Sequence, residues 1–449
     1  MISFPVDFSD RAGEIKPLNA VNNGPAGSRV RGVSNFDDYK ALHIPNARLH
    51  DASFYSGYGG EFAVDVHRVF PDFSADENNP ASYLFAPTDA YLSVIAEAGT
   101  GIFYRLGASI EHGFKKGTYP PADYEKWARI CAHIIRHYNE GWANGFHFGI
   151  TYVEIWNEPD CRNGDGSNPC WQGTPREFAD FLDTAARYLK KEFPALKIGG
   201  PAFCTVWGGE SLEILACMAE KKTPLDFISY HWYGKRITDF RDTLRKAPAL
   251  FAAHGYPGIE TVLNEWNYIR GWVADEWRYS LAMEKGQKGA AFVGAAMCVA
   301  QSEPLDMLMY YDARPCGMNG IFQTDTLAPL PAYTAFRFFS TVRALGDAVR
   351  VSQNYEEGLY GAAAFRGGRG AVLLSRFSDE DGEGVKEVSL SLRHAGAQGK
   401  IKVSLFTVGP DNRPQKFREE ILSAEEGAVI LSLPQFSVIL AEIEPYLPA

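Results

Sequence analysis

The sequence of 449 residues has few of the patterns that announce a metal site, a nucleotide site or a membrane anchor. Its seven cysteines are scattered, and they form no CxxC pair and no Cys/His set with zinc spacing, so no metal site is predicted. No GxGxxG follows an early strand, and no cofactor is predicted. No run of 18 uncharged apolar residues occurs, so no membrane partner is expected.

The charge and the first residues restrict the partners and the expected location. A formal net charge of -11 makes nucleic acid an unsuitable partner. The start MISFPVDFSD lacks a basic residue followed by an apolar run, so a cytoplasmic protein is expected. Cys161 and Cys170 flank the loop RNGDGSNP. The sequence leaves open whether these two thiols pair and whether the chain forms a homo-oligomer.

Apolar runs and helical periods alternate along most of the chain. The runs are apolar throughout, which is typical of parallel strands covered on both faces. Eight strands are predicted, at residues 15–21, 44–50, 101–107, 149–156, 196–201, 225–233, 259–267 and 305–312. Eight strand–helix units predict an α/β fold, a (β/α)8 TIM barrel over residues 15–345 with enlarged loops. A doubly wound open sheet is the alternative, and it lacks its glycine-rich turn.

The pattern of apolar residues changes after residue 345. Short apolar runs such as GAVLLSRF, KIKVSLFTV and FSVILAEIE recur at hairpin spacing, with Gly, Asp and Asn between them. This pattern predicts a C-terminal antiparallel β-sandwich domain over residues 346–449. The N-terminal residues 1–14 could add a strand to it.

Two glutamates stand out at the predicted strand ends, where a (β/α)8 barrel carries its reactive side chains. Glu158 in WNEPD follows the fourth strand, and Glu265 in LNEWN ends the seventh. A lone glutamate after a strand is usually a solvated turn residue. Two Asn-Glu pairs at two strand ends of one barrel instead favour a pair of catalytic carboxyl groups that face one cleft.

Paired carboxyl groups are what glycoside hydrolysis requires. One is kept protonated to donate to the leaving oxygen, and the other stabilises or attacks the anomeric carbon. Pro159 cannot continue a strand and holds Glu158 at the rim, and Asn157 can donate a hydrogen bond to a sugar hydroxyl. Trp156 and Trp266 are predicted to form low-dielectric walls, which raise the pKa of a carboxyl group.

Further candidates for sugar binding lie near other strand ends. His231 and Tyr233 point to the same side of a strand, and the tyrosine hydroxyl could orient the second carboxylate, although a lone histidine is more often a core residue. The other candidates are Asn23, His50, Asp51, Tyr311, Trp171 and Trp266. Asp51 could instead cap a turn, and Tyr311 could be a core aromatic.

Four segments then follow one another in a recognisable order. They are EIWNEPD (154–160), CWQGTPREFADFLDTAARYLKKEFPALKIGGPA (170–202), ISYHWYG (228–234) and TVLNEWNY (261–268). In this order the sequence resembles glycoside hydrolase family 39, a family of retaining (β/α)8 enzymes that includes β-xylosidases and α-L-iduronidases. The resemblance implies that Glu158 is the general acid/base and Glu265 the nucleophile. It also implies that His231 and Tyr233 line the subsite of the non-reducing sugar, and that Asn157 and His50 bind its hydroxyls.

The sequence departs from the β-xylosidase pattern where the sugar would bind. Asp51 follows His50 where the xylosidases carry a glycine, and MYYDARP offers Tyr310 and Tyr311 where they carry a tryptophan platform. The loops 51–87 and 160–173 are long enough to wall the cleft into a pocket, which favours exo action. The predicted function is therefore a retaining, exo-acting, β-xylosidase-like glycoside hydrolase that acts on a carbohydrate substrate.

Several alternatives remain open at this point. A β-glucoside, β-galactoside, α-L-arabinoside or uronide could be the substrate. A protein of another class, a catalytically silent carbohydrate-binding barrel, would also fit the fold, and a transglycosylase would use the same two glutamates.

Overall fold

The fold is described from a computed structural model, in which residues 1–28, 32–51, 63–396 and 399–447 are placed. Part of the predicted cleft loop 51–87 lies outside these described residues. From the first described residue to the last strand of the barrel, the strands in chain order are β1 (Ile2–Asp7), β2 (Arg11–Glu14), β3 (Ala20–Asn22), β4 (Gly27–Ser28), β5 (Val33–Ser34), β6 (Asn46–Arg48), β7 (Gly101–Leu106), β8 (Tyr152–Ile155), β9 (Lys197–Phe203), β10 (Phe227–Gly234), β11 (Glu260–Tyr268) and β12 (Met307–Tyr310).

The remaining strands all follow the barrel. They are β13 (Asp347–Val349), β14 (Leu359–Arg366), β15 (Arg369–Arg376), β16 (Lys386–Arg393), β17 (Lys400–Val408), β18 (Pro414–Ser423), β19 (Glu426–Leu433) and β20 (Ser437–Pro445). The helices are α1 (Phe36–Ala41), α2 (Val66–Val69), α3 (Ala86–Glu97), α4 (Tyr124–Glu140), α5 (Pro175–Glu192), α6 (Gly209–Lys221), α7 (Ile237–Ala253), α8 (Ala274–Glu284), α9 (Gln287–Ser302) and α10 (Pro331–Leu345).

Eight parallel strands close into a barrel in the order β3-β6-β7-β8-β9-β10-β11-β12. All eight predicted strands are present, and the predicted (β/α)8 barrel is confirmed. The KIGGP segment shows why small residues are needed in β9. A Cβ atom on Gly199 would lie 2.4 Å from the Phe227 carbonyl oxygen, so a larger residue would push β9 away from β10.

Helix boundaries follow the local capping chemistry. Thr174 and Glu177 form a capping box at the start of α5, with Pro175 at its first position. The helical stretch around residues 275–302 is not continuous, because it divides into α8 and α9. Gly286 adopts an extended conformation between them, with φ -111° and ψ -172°, and this interrupts the helix.

The sandwich contains a three-stranded sheet, β1-β16-β19, and a seven-stranded sheet, β18-β17-β20-β15-β14-β13-β2. Apolar side chains of both sheets, among them Phe4, Val6, Leu390 and Val372, form the core between them. The pairing is antiparallel except that β1 runs parallel to β16. The first 14 residues therefore contribute two strands to the sandwich, one to each sheet.

The sandwich packs against the barrel through helices α9 and α10. Alternate residues of β15, such as Leu373, point away from the sandwich core and join the barrel core. The Ser375 hydroxyl donates to the Ala291 carbonyl of α9 at 2.7 Å. This contact explains why β15 is buried on both faces. Among the described helices, none combines the length and apolarity that a membrane span requires.

Candidate active site

The carboxyl ends of four barrel strands bring the predicted site together. Glu265 lies in β11 beside His231 of β10, because a bulge between Tyr230 and His231 shifts the register of the two strands. One carboxylate oxygen of Glu158, one of Glu265 and a ring nitrogen of His231 all lie within 4.8 Å of one another. The two glutamates, 107 residues apart in the chain, therefore share one cleft.

Glu158 is held by an unusual backbone. Strand β8 ends at Ile155, earlier than the predicted residue 156, because Trp156 has a φ of 79° and leaves the extended region. Glu158 itself has a φ of 46°, and its N–H donates to the Ala202 carbonyl at 2.9 Å. Two residues in this region store about 1–3 kcal/mol of strain each. Local strain of this kind often accompanies a side chain that is presented for chemistry.

The surroundings of Glu158 favour its protonated form. Burial raises the pKa of this carboxyl group to about 8. Its Oε1 atom lies 2.7 Å from His231 Nδ1. Burial also lowers the pKa of His231 to about 4, so that the imidazole is neutral near pH 7. A neutral carboxyl group against a neutral imidazole suits a proton donor.

Glu265 has two strong hydrogen-bond donors that Glu158 lacks. Arg48 Nη1 donates to its Oε1 at 2.7 Å, and the Tyr233 hydroxyl donates to its Oε2 at 2.8 Å. Burial raises the pKa of Glu265, while the Arg48 charge and the Tyr233 hydrogen bond act in the opposite direction. Both donors stabilise the carboxylate, as a nucleophile requires.

Arg48 is the functional residue that sequence reasoning missed. Its side chain is fully buried and donates to Glu154 (2.6 Å), Glu265 (2.7 Å) and Asn157 (2.6 Å), and also to Asn22 (3.1 Å). One signal was present, since an arginine in an apolar strand two positions before His50 points to the same side of that strand. Arg48 sets the positions of Glu265 and of Asn157 together.

Replacing Arg48 by methionine is expected to lower the free energy of unfolding by about 3–5 kcal/mol, because Glu154 and Glu265 would be left as buried carboxylates without a cation. Denaturant unfolding monitored by tryptophan fluorescence measures this loss. The matched control is Arg236→Met, since Arg236 is exposed and, among the described residues, pairs with Asp239 at the surface, where about 0–1 kcal/mol is expected. Equal stability of the two variants would contradict the role of Arg48.

Several buried polar atoms at the site have no hydrogen-bond partner among the described residues. They are Asn157 Nδ2, His231 Nε2 and both ring nitrogens of His50. Because Arg48 holds Asn157 Oδ1, the amide N–H2 of Asn157 is turned away from it. Unpaired buried polar atoms are costly, and hydroxyl groups of a sugar are suitable partners for them.

The rim of the site is formed by the predicted residues Asp51 and Tyr311 together with Arg314. The Tyr311 hydroxyl lies 3.3 Å from Asp51 Oδ2, and Arg314 Nη2 donates to the Tyr311 oxygen at 3.2 Å. The Tyr311 ring faces His50, with centroids 6.4 Å apart. Trp272, which the sequence reasoning did not single out, is exposed beside Tyr233 at a centroid distance of 5.2 Å.

Three residues that are predicted to contact the sugar instead pack against other parts of the protein. Trp266 points outward and packs on Phe240 and Phe292 between the barrel and its helices. Trp171 packs on Trp156, and both indoles are buried in the same layer on another side of the barrel.

Successive side chains of a strand point to opposite faces, which explains the error for Trp266. Its neighbour Glu265 faces the cleft, so Trp266 must face away from it. Asn23 is also corrected. Its amide group donates to the His50 carbonyl at 2.9 Å and to Asp312, and its oxygen accepts from Tyr91. Asn23 therefore braces the strand ends and has little capacity left for a sugar.

Sequence comparison identifies the relatives of this chain. Residues 63–247, which include Glu158 and His231, match the model of glycosyl hydrolases family 39. A β-xylosidase of Geobacillus stearothermophilus is 25% identical over 311 residues, which cover 62% of this chain and 57% of that protein. A β-xylosidase of Caldicellulosiruptor saccharolyticus is 27% identical over 161 residues, covering 34% and 31%. The chain thus spans little more than half of the first relative and a third of the second.

Solved structures share the fold over the whole chain. A glucosidase from Croceicoccus marinus superposes with a TM-score of 0.82 and 21% identity, covering 100% of this chain and 99% of that one. A monomeric β-xylosidase from Caulobacter crescentus gives 0.72 and 15%, with full coverage of both chains. The family match over residues 63–247, the relatives and the order of the site motifs agree, and this part of the chain is similar to glycosyl hydrolases family 39.

Proposed function

We propose that this protein is a retaining glycoside hydrolase that works by double displacement, with Glu265 as nucleophile and Glu158 as general acid/base. The observation that carries the proposal is the approach of their carboxylate oxygens to within 4.8 Å. Retaining enzymes hold the two carboxyl groups about 5–5.5 Å apart, whereas inverting enzymes need about 6.5–9.5 Å to admit a water molecule.

Each step uses a group whose surroundings suit it. A Glu265 oxygen attacks the anomeric carbon as the glycosidic bond breaks, and the Glu158 proton passes to the leaving oxygen. Glu158, now a carboxylate, takes a proton from water. The water oxygen then bonds to the anomeric carbon and releases Glu265. Arg48 and Tyr233 stabilise the carboxylate that leaves.

The proposed substrate is a β-xyloside cleaved from the non-reducing end. Support comes from the curated relatives, which are named β-xylosidases. A uronide is less suited to the site, because Arg105 is paired with buried Asp65 at 2.9 Å, and Arg314 is paired with Asp312 at 3.3 Å. β-Glucosides are the first competing class, since a glucosidase shares the fold along the whole chain.

A panel of 4-nitrophenyl glycosides tests the proposal. It should contain β-xyloside, β-glucoside, β-galactoside, α-L-arabinoside and a uronide, each assayed with wild type, Glu158→Gln and Glu265→Gln. Cleavage of one sugar that depends on Glu265 is expected. NMR of the first product formed should show the anomeric configuration of the substrate. An inverted first product would exclude double displacement, and products longer than the substrate would identify a transglycosylase.

A binding protein would behave differently in the same panel. If no glycoside is cleaved while wild type and both glutamine variants bind an oligosaccharide with equal affinity, the catalytically silent carbohydrate-binding barrel is the correct reading.

A further inference from the structure

Three cysteines that the mechanism does not use surround one side of Glu158. Cys161 and Cys170 lie in the loop after β8, and Cys204 follows β9. One oxygen of Glu158 and the sulfur atoms of Cys161 and Cys204 lie within 4.8 Å of one another. Cys170 Sγ lies 4.0 Å from Glu158 Oε2. All three thiols are free.

Backbone contacts that do not involve the thiols hold this cluster together. Asp160 accepts the N–H of Cys204 at 2.9 Å and that of Thr205 at 3.0 Å, which ties the loop after β8 to the loop after β9. The N–H of Cys161 donates to the Glu158 carbonyl at 3.1 Å. The sulfur atoms therefore converge because the chain places them there.

Cys170 has its own anchor. Asn168 Oδ1 accepts its N–H at 2.8 Å, while Asn168 Nδ2 donates to the Pro159 carbonyl at 2.7 Å. The long loop 161–170 thus returns its last cysteine to the side of Glu158. A preformed ligand set of this kind loses little ordering entropy when a cation binds.

A cysteine that only fills space is typically buried and isolated. Cys131, Cys217 and Cys298 fit that description, since each is buried in a helix. Cys161 and Cys204, in contrast, are partly exposed, which gives a cation a route to them.

We propose that Cys161, Cys204, Cys170 and Glu158 form an inhibitory site for a soft divalent cation of the Zn²⁺ or Cd²⁺ class. Thiolates select such cations, and the bound thiols release their protons to solvent. Tetrahedral zinc has metal–sulfur bonds of about 2.3 Å, which place ligand atoms roughly 3.8 Å apart. The ligand atoms of Glu158, Cys161 and Cys204 lie within 4.8 Å of one another, so they need only a small contraction to reach this geometry.

The two oxygens of Glu158 face different neighbours. Oε1 approaches His231, and Oε2 approaches Cys170. A cation on the thiol side would exclude the proton that Glu158 must donate, so hydrolysis would stop. This consequence rests on the proposed function, whereas the binding of the cation does not.

Titration of the metal-free, reduced protein with Cd²⁺ tests the site through the ultraviolet thiolate-to-cadmium absorption band, which requires no substrate. Wild type should bind one equivalent with this band. Cys161→Ser and Cys204→Ser should each weaken binding at least about a hundredfold, since even residues behind a metal ligand contribute about 10–100-fold. The control Cys217→Ala, a buried cysteine of α6, should bind as wild type does.

Circular dichroism and a second variant, Cys161→Ala, separate loss of the site from loss of the fold. Absence of the band in wild type, or equal binding by folded Cys161 variants and wild type, would overturn the proposal. Inhibition is read as the fraction of each variant's own metal-free rate. If the glycoside panel shows no activity but the band appears, the metal site stands and the proposed function fails.

Discussion

Replacing Glu265 by alanine is expected to lower glycoside cleavage by about four orders of magnitude or more, the scale on which loss of a catalytic nucleophile acts. No other carboxylate among the described residues lies within reach of both His231 and Glu158. The protein should remain folded, because Arg48 keeps Glu154 as its partner. Steady-state rates on the best 4-nitrophenyl glycoside measure the loss.

Added formate or azide should restore part of this rate. The shortened side chain leaves space beside Arg48 and Tyr233, whose donors at 2.7 and 2.8 Å would hold a small anion where the carboxylate was. With azide, attack by the anion gives a glycosyl azide of inverted configuration, because only one displacement then occurs.

The matched control for this prediction is Glu284→Gln, which changes a buried glutamate of α8 outside the cleft. Burial raises the pKa of Glu284 well above its ordinary value, so glutamine resembles its neutral form. Its rate should equal that of wild type. A Glu265→Ala rate within tenfold of wild type would remove Glu265 from the role of nucleophile.

The variant Glu158→Gln is expected to lose about 10²–10⁴-fold in rate on substrates with a sugar or alkyl leaving group, the usual contribution of general acid catalysis. Bond cleavage in a 4-nitrophenyl glycoside should suffer much less, because 4-nitrophenolate leaves without a proton. A comparison of kcat/KM for the aryl and alkyl glycosides of one sugar gives both values. Equal losses on the two would show that Glu158 does not protonate the leaving group.

The pH dependence follows from the same residue. In the proposed mechanism Glu158 carries its proton in the first step, and burial raises its pKa to about 8, so kcat/KM should fall as the pH rises through that value. Glu265 must be ionised, so the rate should also fall toward acid, at a pH above the ordinary range of a glutamate. Glu158→Gln should abolish the alkaline fall.

Asp160→Asn provides the control for the alkaline limb of the pH profile, which is the fall in kcat/KM at high pH. Burial raises the pKa of Asp160 to about 7, and this residue lies two positions from Glu158. The limb should persist in this variant. Its disappearance in Asp160→Asn alone would assign the titration to Asp160.

The sequence was sufficient to predict the barrel and the meeting of the two glutamates with the histidine–tyrosine pair in one cleft. Each of these depends on a pattern formed by residues that are close together in the sequence. Apolar runs mark strands, and the polar residue directly after a run marks the reactive end of a parallel barrel. His231 and Tyr233 share a face because they are two residues apart in a strand.

Other features depend on pairings that no local pattern encodes. Trp266 was misplaced because its side of the strand follows only once Glu265 is known to face the cleft. Arg48 contacts Glu154 and Glu265, which lie on two other strands of the barrel.

The thiol cluster is distributed over two loops, and its spacing resembles no zinc motif. The end of β8 at Ile155 depended on the left-handed conformation of Trp156, which a non-glycine residue adopts rarely.

The parallel pairing of β1 with β16 has a consequence for how the chain reaches this fold. Phe4 pairs with Leu390, so this strand is synthesised long before its partner. Contacts of such high sequence separation slow folding. The nascent barrel is complete in sequence by residue 345, while Phe4 and Val6 still lack their neighbours in the sandwich. We therefore expect the capture of β1 by the sandwich to follow the folding of the barrel, and slow translation of residues 346–449 to prolong the exposure of that apolar strand to chaperones.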